Sequence, residues 1–339
     1  MRLRSKTHLL VAIEGSLLAA IAGCTSGGQS VNSPAGPQAS RINNVWWFMF
    51  WVCAIAFVLT MLSLAAAIWR RRRAADVDHA NDSRRRVLVT IASVLAIIAL
   101  FSFLVAGAVA GKNVSRGLES KNALTIQVIG HQWWWEVVYN DPTASQTVTT
   151  ANEIHIPVGK PVVILTSSRD VIHSFWAPNL NGKRDLIPGY QTAFWVQADK
   201  PGVYRGQCAE FCGHQHAHMS FQIIAEPADK FDQWRNAQIL PSADPDNDAK
   251  RKGREVFLNH PCVMCHTIRG TDAGSRVGPD LTHVASRGTI AAGTLTNTPG
   301  NLAGWIMNSQ SIKPGNRMPA MNLQGDELNA LLAYLSSLK

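Results

Sequence analysis

Two long apolar runs dominate the first third of this 339-residue sequence and restrict what it can fold into. Residues 45–69 and 87–110 contain no charged side chain, and each run is long enough to cross a hydrocarbon core of about 30 Å as a helix. We therefore predict a two-helix transmembrane hairpin over residues 44–110. Clusters of arginine at 70–73 and 84–86 lie between the runs, and such loops tend to stay on the cytoplasmic side. The sequence after the hairpin is then expected outside the cytoplasm.

The charge of the chain does not indicate a nucleic-acid binder. Although the formal net charge is +9, basic and acidic residues balance between 112 and 235. The excess lies at the N-terminus, in the arginine clusters and after residue 250, whereas nucleic-acid binding needs basic side chains clustered on a recognisable fold. With 46% hydrophobic and 16% charged residues, the composition favours a partly membrane-embedded protein with more than one domain.

The N-terminus has the features of a secretory signal. Residues 1–23 begin with a basic head and continue as an apolar stretch that ends in small residues. The sequence up to Cys24 resembles the lipobox of bacterial lipoproteins, which predicts a lipid anchor on Cys24, although Glu14 departs from that pattern. The alternative is an uncleaved anchor in which Cys24 is an inert thiol. Residues 24–43 are rich in Gly, Ser, Pro and Gln, which predicts a flexible tether.

The middle of the chain changes to short β-rich stretches. Residues 124–129, 161–166 and 193–197 are rich in aliphatic and aromatic side chains. Pro, Gly, Asn and Asp separate such stretches, which is typical of an antiparallel sandwich or barrel. We therefore predict a β-domain over residues 111–236, followed by an acidic, proline-containing linker at 237–249.

The last part of the chain carries a haem-attachment motif. Cys262, Cys265 and His266 form a C-x-x-C-H sequence, in which two thiols add to the haem vinyl groups and the imidazole ligates the iron. A zinc site would require a second pair of ligands, and a thioredoxin-like motif would require a βαβ context. Neither is apparent nearby. The helical texture around the motif predicts an all-α domain with a covalent c-type haem over residues 250–339.

A methionine is expected as the second axial ligand of this haem, because a thioether raises the potential for electron transfer. Met318 and Met321 are the candidates. Residues 312–319 resemble the ligand loop of class I cytochromes c, in which Met precedes Pro, and this resemblance favours Met318. Residues 278–281 resemble the loop that packs beside the proximal histidine in that family. A final helix, expected at 325–338, would pack on the first helix of the domain.

One short segment of the β-domain offers an uncommon set of soft ligands. Cys208 and Cys212 are followed by His216 and Met219, and thiolate, imidazole and thioether groups together favour copper over harder ions. A blue site with one copper needs only one cysteine, whereas two neighbouring cysteines can bridge two copper ions that share one unpaired electron. Two further histidines flank His216, and spacing alone does not exclude them.

With the spacing C-x-x-x-C-x-x-x-H-x-x-M, this segment resembles subunit II of the haem–copper cytochrome c oxidases, whose copper domain is a cupredoxin-like antiparallel β sandwich. The resemblance extends to the transmembrane hairpin. It implies a dinuclear copper centre (CuA) and selects His216 over His214 and His218. The implied ligands are two bridging thiolates, two imidazoles, a thioether and a backbone carbonyl, namely His173, Cys208, Glu210, Cys212, His216 and Met219.

The upstream imidazole is assigned through a second motif. Residues 170–174 resemble the D-V-x-H-S sequence of the same family, and this resemblance selects His173. The rival is His155, which lies in an apparent strand, where a histidine is more often a half-buried structural residue.

An aromatic stretch precedes these ligands. Residues 130–136 resemble the family segment whose first tryptophan receives electrons above the copper, and Trp133 holds that position. The family commonly has Tyr where this chain has Trp134. Trp135 and Tyr139 are candidates for filling the sandwich core, since buried aromatic side chains contribute much apolar area.

A magnesium site is also implied by the resemblance. The segment around Asp185 resembles the one that faces subunit I, where Asp185 and the Glu210 side chain would supply hard oxygen ligands to a hard cation. Without a partner subunit, Asp185 is equally an ordinary surface carboxylate beside Lys183 and Arg184.

A cytochrome domain after a complete subunit II resembles the caa-type oxidases. This resemblance implies that electrons arrive from a donor cytochrome or an upstream respiratory complex and reach subunit I through haem and copper, where oxygen is reduced and protons are pumped. The other oxidase subunits and the bacterial inner membrane are the expected neighbours, with both redox domains on the periplasmic side. An electron-accepting subunit of a nitric oxide reductase and a lipid-anchored electron carrier stay open as alternatives. The complete copper ligand set disfavours a quinol oxidase.

Overall fold

Two long helices open the part of the chain that the computed structural model describes, which is residues 28–71, 82–115 and 123–339. They are α1 (Pro37–Arg71) and α2 (Asp82–Ser115). Both are candidate membrane spans by length and composition, with mean hydropathy of 2.4 and 2.8, and their apolar windows are not buried within the protein. The predicted apolar runs lie inside these helices, which extend further at both ends.

Several predictions about the N-terminus fall outside the described residues. The predicted signal peptide at 1–23 and the lipid-anchor cysteine Cys24 are both in this group. Residues 84–86 belong to α2 and residues 70 and 71 belong to α1, rather than to a loop.

Residues 24–43 are predicted as a flexible tether, but the described part of this segment is bound to the β-domain. The Asn179 side-chain amide donates hydrogen bonds to the carbonyls of Ser30 (3.0 Å) and Ser33 (2.9 Å). The backbone N–H of Ala35 donates to the carbonyl of Asn179 at 2.7 Å, and α1 begins within the same segment. Specific backbone partners fix this segment, and composition alone cannot reveal them.

The β-domain consists of two five-stranded sheets. Its strands are β1 (Leu124–His131), β2 (Trp134–Tyr139), β3 (Val148–Ala151), β4 (Glu153–Pro157), β5 (Val162–Ser168), β6 (His173–Trp176), β7 (Arg184–Leu186), β8 (Thr192–Val196), β9 (Gly202–Cys208) and β10 (Ser220–Glu226). The strand orders are β3-β2-β1-β5-β8 and β4-β10-β9-β6-β7. The predicted sandwich is confirmed, but the pairs β1–β5 and β4–β10 are parallel. Long connections allow those strands to return in the same direction.

Aromatic side chains fill the space between the two sheets. Trp135 and Tyr139 are fully buried, and Phe175 and Phe221 are 1% exposed. The rings of Phe175 and Phe221 stack with centroids 4.1 Å apart, and Trp135 meets Phe221 edge-on at 5.3 Å. The buried hydroxyl of Tyr139 donates to the carbonyl of His155 at 2.9 Å. The core role predicted for Trp135 and Tyr139 is therefore confirmed.

The C-terminal region is helical, apart from one short hairpin. Its elements are α3 (Ala228–Ile239), α4 (Asp248–Asn259), β11 (Thr289–Ile290), β12 (Leu295–Thr296), α5 (Pro299–Met307), α6 (Ser309–Ile312) and α7 (Gly325–Leu335). The predicted linker at 237–249 contains the end of α3 and the start of α4. Arg269 binds this linker, because its guanidinium donates to the carbonyl of Ile239 at 3.1 Å and its own carbonyl accepts from the N–H of Ser242 at 2.9 Å.

The first and last helices of the C-terminal domain cross at a glycine. A Cβ atom on Gly253 of α4 would lie 2.0 Å from the carbonyl oxygen of Ala330 in α7. Buried Phe257, Leu331 and Leu335 lie in the core of the same domain. The predicted packing of the final helix on the first one is confirmed. This packing depends on glycine at residue 253, because glycine has no side chain.

We predict that Gly253→Ala destabilises the C-terminal domain by about 1–3 kcal/mol, because an overpacked contact outweighs the gain in helix propensity. The measurement is chemical unfolding followed by haem absorption. Gly304→Ala is the matched control, because Gly304 lies in α5 with no atom within 4 Å of the added Cβ. It should be neutral or stabilising by up to about 1 kcal/mol. Equal stability of Gly253→Ala and the original chain would contradict the close crossing.

Candidate functional site

The loop between β9 and β10 brings two thiols together. Cys208 ends β9 and Cys212 follows in the loop; both are 2% exposed, and their Sγ atoms are 3.7 Å apart. The loop is closed at its base, where the N–H of Cys208 donates to the carbonyl of Met219 at 2.9 Å. The antiparallel pairing of β9 with β10 continues directly from this hydrogen bond. The thiols are therefore held at the end of a rigid sheet.

His173 reaches the thiols from a neighbouring strand. It is the first residue of β6, which pairs with β9 so that Phe175 lies opposite Cys208. The His173 ring is fully buried, and its Nδ1 atom lies 3.9 Å from the Sγ of Cys208. The potential ligand atoms of His173, Cys208 and Cys212 all lie within 4.8 Å of one another.

Three more of the predicted groups converge on the same point. The Nδ1 atom of His216 is 3.6 Å and the Sδ atom of Met219 is 3.8 Å from the Sγ of Cys212. The backbone carbonyl of Glu210 lies 3.2 Å from the Sγ of Cys208. The structure thus brings together all six groups in the predicted copper set.

The rival histidines have other surroundings. His155 is stacked on Trp234 with ring centroids 4.0 Å apart, and its Nδ1 atom lies 3.0 Å from a carboxylate oxygen of Glu226. His214 and His218 are exposed on the loop, and the Nδ1 atom of His218 lies 2.9 Å from the side-chain oxygen of Gln215. The cluster of possible metal-binding atoms found among the described residues consists of His173, Cys208 and Cys212, so it contains neither these three histidines nor His216.

Asp170 fixes the tautomer of His173. Its Oδ1 atom lies 2.9 Å from the Nε2 atom of His173. A carboxylate can only accept, so Nε2 carries the hydrogen, and in the neutral ring the lone pair of Nδ1 faces the thiols. Burial alone would raise the pKa of the Asp170 carboxyl, but hydrogen bonds from His173 and the N–H of Gln132 lower it to about 2. Asp170 is part of the quoted motif, yet only the structure reveals this contact.

The thiol pair is strongly polarised. The hydrogen bond from Cys212 lowers the pKa of the Cys208 thiol to about 3 against the opposing effect of burial, and the same bond raises the pKa of the Cys212 thiol. Thiolates rather than thiols are the metal ligands. The environment of Cys208 therefore favours the form that binds a soft metal.

Trp133 lies outside the β9–β10 loop and hydrogen-bonds to it. Its indole Nε1–H donates to the carbonyl of Cys212 at 2.9 Å, and the side chain of Gln132 donates to the same oxygen at 2.9 Å. Gly213 has φ of 109°, and a Cβ there would lie 3.1 Å from the Trp133 ring. A side chain at this position would be strained and would also crowd the indole. The contact joins the predicted electron-receiving residue directly to a predicted ligand.

The C-terminal domain contains a cavity of about 230 Å³ lined by the haem-attachment motif. Cys262 and Cys265 lie at a short turn (Pro261–Met264), and the Nδ1–H of His266 donates to the carbonyl of Pro279 at 2.7 Å. This bond leaves Nε2 of His266 free to ligate. Burial lowers the pKa of His266, so the ring stays neutral, as ligation requires.

Gly278 gives the His266 ring room. A Cβ on this glycine would lie 2.7 Å from the Cε1 atom of His266. The loop predicted to pack beside the proximal histidine therefore does so, and it requires a residue without a side chain at this position.

Both candidate methionines line the cavity. The backbone of Met318 is held by the side chains of Asn316, which accepts from its N–H at 2.7 Å, and Ser309, which donates to its carbonyl at 2.6 Å. Met321 has a backbone hydrogen bond to Met307 at 3.3 Å. The assignment of Met318 over Met321 stays a prediction.

Residues of the β-domain also line this cavity. His131, Trp133 and Trp134 line it together with residues of the C-terminal domain. Lys313, which no sequence motif singles out, is 3% exposed at this boundary, and burial lowers the pKa of its ammonium to about 7. A lysine in a polar loop is normally expected in solvent, so no sequence signal could have found it.

Asp185 and Glu210 are neighbours on the surface. Each carboxylate binds the ammonium of Lys183, at 3.2 Å from Asp185 and 3.0 Å from Glu210. Asp185 also accepts from the hydroxyl of Ser174 at 2.8 Å, and this bond is the largest cause of its lowered pKa. The two groups predicted for magnesium therefore lie on either side of one cation.

Two family matches cover most of the chain after the hairpin. Residues 141–226 match the family described as cytochrome c oxidase subunit II, periplasmic domain. Residues 251–339 match the cytochrome c family. The first match begins after Trp133, so this residue lies outside it.

Individual relatives are similar over longer stretches. Cytochrome c oxidase subunit 2 of Alkalihalophilus pseudofirmus is 34% identical over 90% of this chain and 90% of the relative. Quinol oxidase subunit 2 of Bacillus cereus is 28% identical over 72% of this chain and 87% of the relative. A crystal structure of the periplasmic domain of cytochrome oxidase subunit II from Bradyrhizobium japonicum is 32% identical over 34% of this chain and 92% of that chain, with a TM-score of 0.32. The extent of the Alkalihalophilus match, with the cytochrome c match at the C-terminus, shows that this chain belongs to the cytochrome c oxidase subunit II family and carries a fused cytochrome c domain.

Proposed function

We propose that this oxidase subunit is an electron relay. Its cytochrome domain accepts electrons from a donor cytochrome or an upstream respiratory complex, and its β-domain passes them to the oxygen-reducing subunit I. The observation that carries this proposal is the position of Trp133, which hydrogen-bonds to the carbonyl of Cys212 and also lines the haem cavity. One side chain thus touches both predicted cofactor sites.

The proposed copper ligands are the six converging groups. Their donor atoms fit copper, because two thiolates, two imidazoles and a thioether form a soft set. When bound, a dinuclear copper centre supplies one-electron redox chemistry with little change in geometry. The β9–β10 loop orients these donors and keeps water from the thiols, which are almost fully buried. The ligand residues are His173, Cys208, Glu210 (through its carbonyl), Cys212, His216 and Met219.

The proposed haem attachment is covalent, through Cys262 and Cys265. The residues fit the group, since both cysteines and His266 line one cavity and the His266 ring presents a free Nε2 atom. We assign Met318 as the second residue that would bind the haem iron, because side chains of its loop hold its backbone in place.

We propose a multi-pass location in the bacterial inner membrane, with α1 and α2 as spans and both redox domains on the periplasmic side. The arginine clusters support this orientation, because arginines next to the ends of membrane spans tend to remain on the cytoplasmic side. A lipid anchor on Cys24 belongs to the same proposal and rests on the lipobox-like sequence.

A magnesium ion at the boundary with subunit I is also proposed. Asp185 and Glu210 supply oxygen ligands of the kind that this ion prefers. Both carboxylates are nearly half exposed and share Lys183. Binding of the ion would displace that ammonium once subunit I covers the surface.

The first of three predictions from the proposed function concerns the cofactors of the purified full chain. We expect about two coppers per haem and a mixed-valence copper signal, with haem that resists extraction by acid and organic solvent. Cys208→Ser should remove the copper signal and leave the haem, because only the sandwich site is changed. Cys53→Ser is the matched control, since Cys53 lies in α1, away from both sites.

Metal analysis and electron paramagnetic resonance provide the measurement. A single copper or a zinc ion in the original chain would refute the dinuclear site. Oxygen uptake by the purified complex with an a-type haem partner would support the oxidase relay, whereas nitric oxide turnover would identify the other catalytic partner.

The second prediction concerns Asp170. Asp170→Asn should lower copper affinity about 10–100-fold, because the residue that holds the ring of a metal-binding histidine tunes the metal. Competition with a chelator measures the affinity. Asp141→Asn is the control, because Asp141 pairs with Arg235 instead. Unchanged affinity in Asp170→Asn would show that its contact with His173 does not matter for the metal.

The third prediction concerns Gly278. Gly278→Ala should displace the His266 ring and reduce haem content or alter the reduced haem spectrum, because the new methyl group overlaps that ring. Gly274→Ala is the control, since the structure has no atom within 4 Å of a Cβ there. A normal spectrum and full haem content in Gly278→Ala would contradict this arrangement.

A further inference from the structure

Lys313 is a buried lysine at the boundary between the two redox domains. It follows α6 at the start of the loop that leads to Met318, and it is only 3% exposed. Lysine is almost never fully buried without a partner. Among the described residues, the hydrogen bonds of its ammonium go to backbone carbonyls and not to a carboxylate.

All three ammonium hydrogens have acceptors. The Nζ atom of Lys313 donates to the carbonyls of Trp133 at 2.9 Å, His218 at 2.8 Å and Ala291 at 3.1 Å. An ammonium has three donors and no acceptor, so this set is complete. Such complete satisfaction is what makes burial of a charged group tolerable.

The acceptors lie on both sides of the boundary. Ala291 belongs to the cytochrome domain, whereas Trp133 and His218 belong to the β-domain. Trp133 donates to the carbonyl of Cys212, and His218 directly precedes Met219. One side chain therefore ties the haem ligand loop to the two segments that frame the copper site.

Neighbouring contacts extend this attachment. The side chain of Gln215 donates to the carbonyl of Pro314 at 2.8 Å. A Cβ on Gly315 would lie 3.9 Å from the Trp133 ring, so the haem ligand loop passes directly over the indole. The loop and the indole are thus in contact next to the lysine.

We propose that Lys313 is a positioning residue that fixes the cytochrome domain against Trp133 and the copper loop by donating hydrogen bonds across the domain boundary. This inference rests on the proposed relay function. Each domain has its own hydrophobic core, so loss of the contact should loosen the docking without unfolding either domain. Electron transfer would then slow, because its rate falls steeply as the separation of the sites grows.

The test uses the complete oxidase with both cofactors bound. Lys313→Met keeps a long side chain but removes every N–H donor. We expect a weaker effect of oxidised haem on the electron-spin relaxation of copper, which reports their separation. We also expect electron transfer from haem to copper, after photochemical injection of an electron, to slow by about tenfold or more. The haem potential and the copper spectrum should be unchanged.

Two further variants separate docking from general effects. Lys252→Met removes an ammonium from the same domain, but Lys252 is exposed and paired with Asp326, so both measurements should match the original protein. Lys313→Arg keeps a cation with several N–H donors and should transfer electrons faster than Lys313→Met. If Lys313→Met fails to bind both cofactors, Lys313→Leu, which also lacks N–H donors, replaces it under the same criteria.

Three results would overturn the proposal. The first is that Lys313→Met leaves both the copper spin relaxation and the rate of electron transfer unchanged. The second is that Lys313→Met slows electron transfer and shifts the haem potential while the copper spin relaxation stays the same. The third is that the Lys313→Arg and Lys313→Met variants transfer electrons at equal rates. Failure of the relay function itself would look different, because the original protein would then show no electron transfer from haem to copper.

Discussion

The closure of the β9–β10 loop is the constraint on which the rest of the site depends. A backbone hydrogen bond of 2.9 Å from Cys208 to Met219 seals the base of the loop, and the sheet pairing beyond it makes the base rigid. The two thiols are held 3.7 Å apart as a result. A metal site gains precision when its ligands are fixed before the metal arrives. This loop provides that preorganisation from ordinary β-sheet hydrogen bonds.

The boundary between the domains is the second constraint, and several polar contacts cross it. The carboxylate of Glu153 accepts from the N–H groups of Gly288 at 2.8 Å and Thr289 at 3.2 Å. The Ser220 hydroxyl donates to the carbonyl of Ala292 at 2.9 Å. Directional bonds of this kind fix orientation more than they add stability. For a relay, orientation matters most, because it sets which edge of the cytochrome domain meets Trp133.

Much of the fold follows from local patterns. The apolar runs predict α1 and α2, alternating β-rich stretches predict the sandwich, and the C-x-x-C-H motif predicts the haem cavity. The errors concern contacts between distant segments. Two strand pairs are parallel, and the described part of the tether at 24–43 is bound to Asn179. Composition describes the conformational preferences of a segment, but the segments to which it hydrogen-bonds lie elsewhere in the chain.

The sequence by itself determined which residues are candidates for cofactor binding: two cysteines and a histidine in one motif for haem, and a compact loop of soft donor groups for copper. Only the tertiary structure decided the relationships among these groups. The carboxylate of Asp170 sets the tautomer of His173, and the buried Lys313 joins the haem ligand loop to Trp133. The physical reason is that residue type and spacing fix which atoms can bind a cofactor, whereas burial and hydrogen bonding between remote segments arise only when the chain is folded.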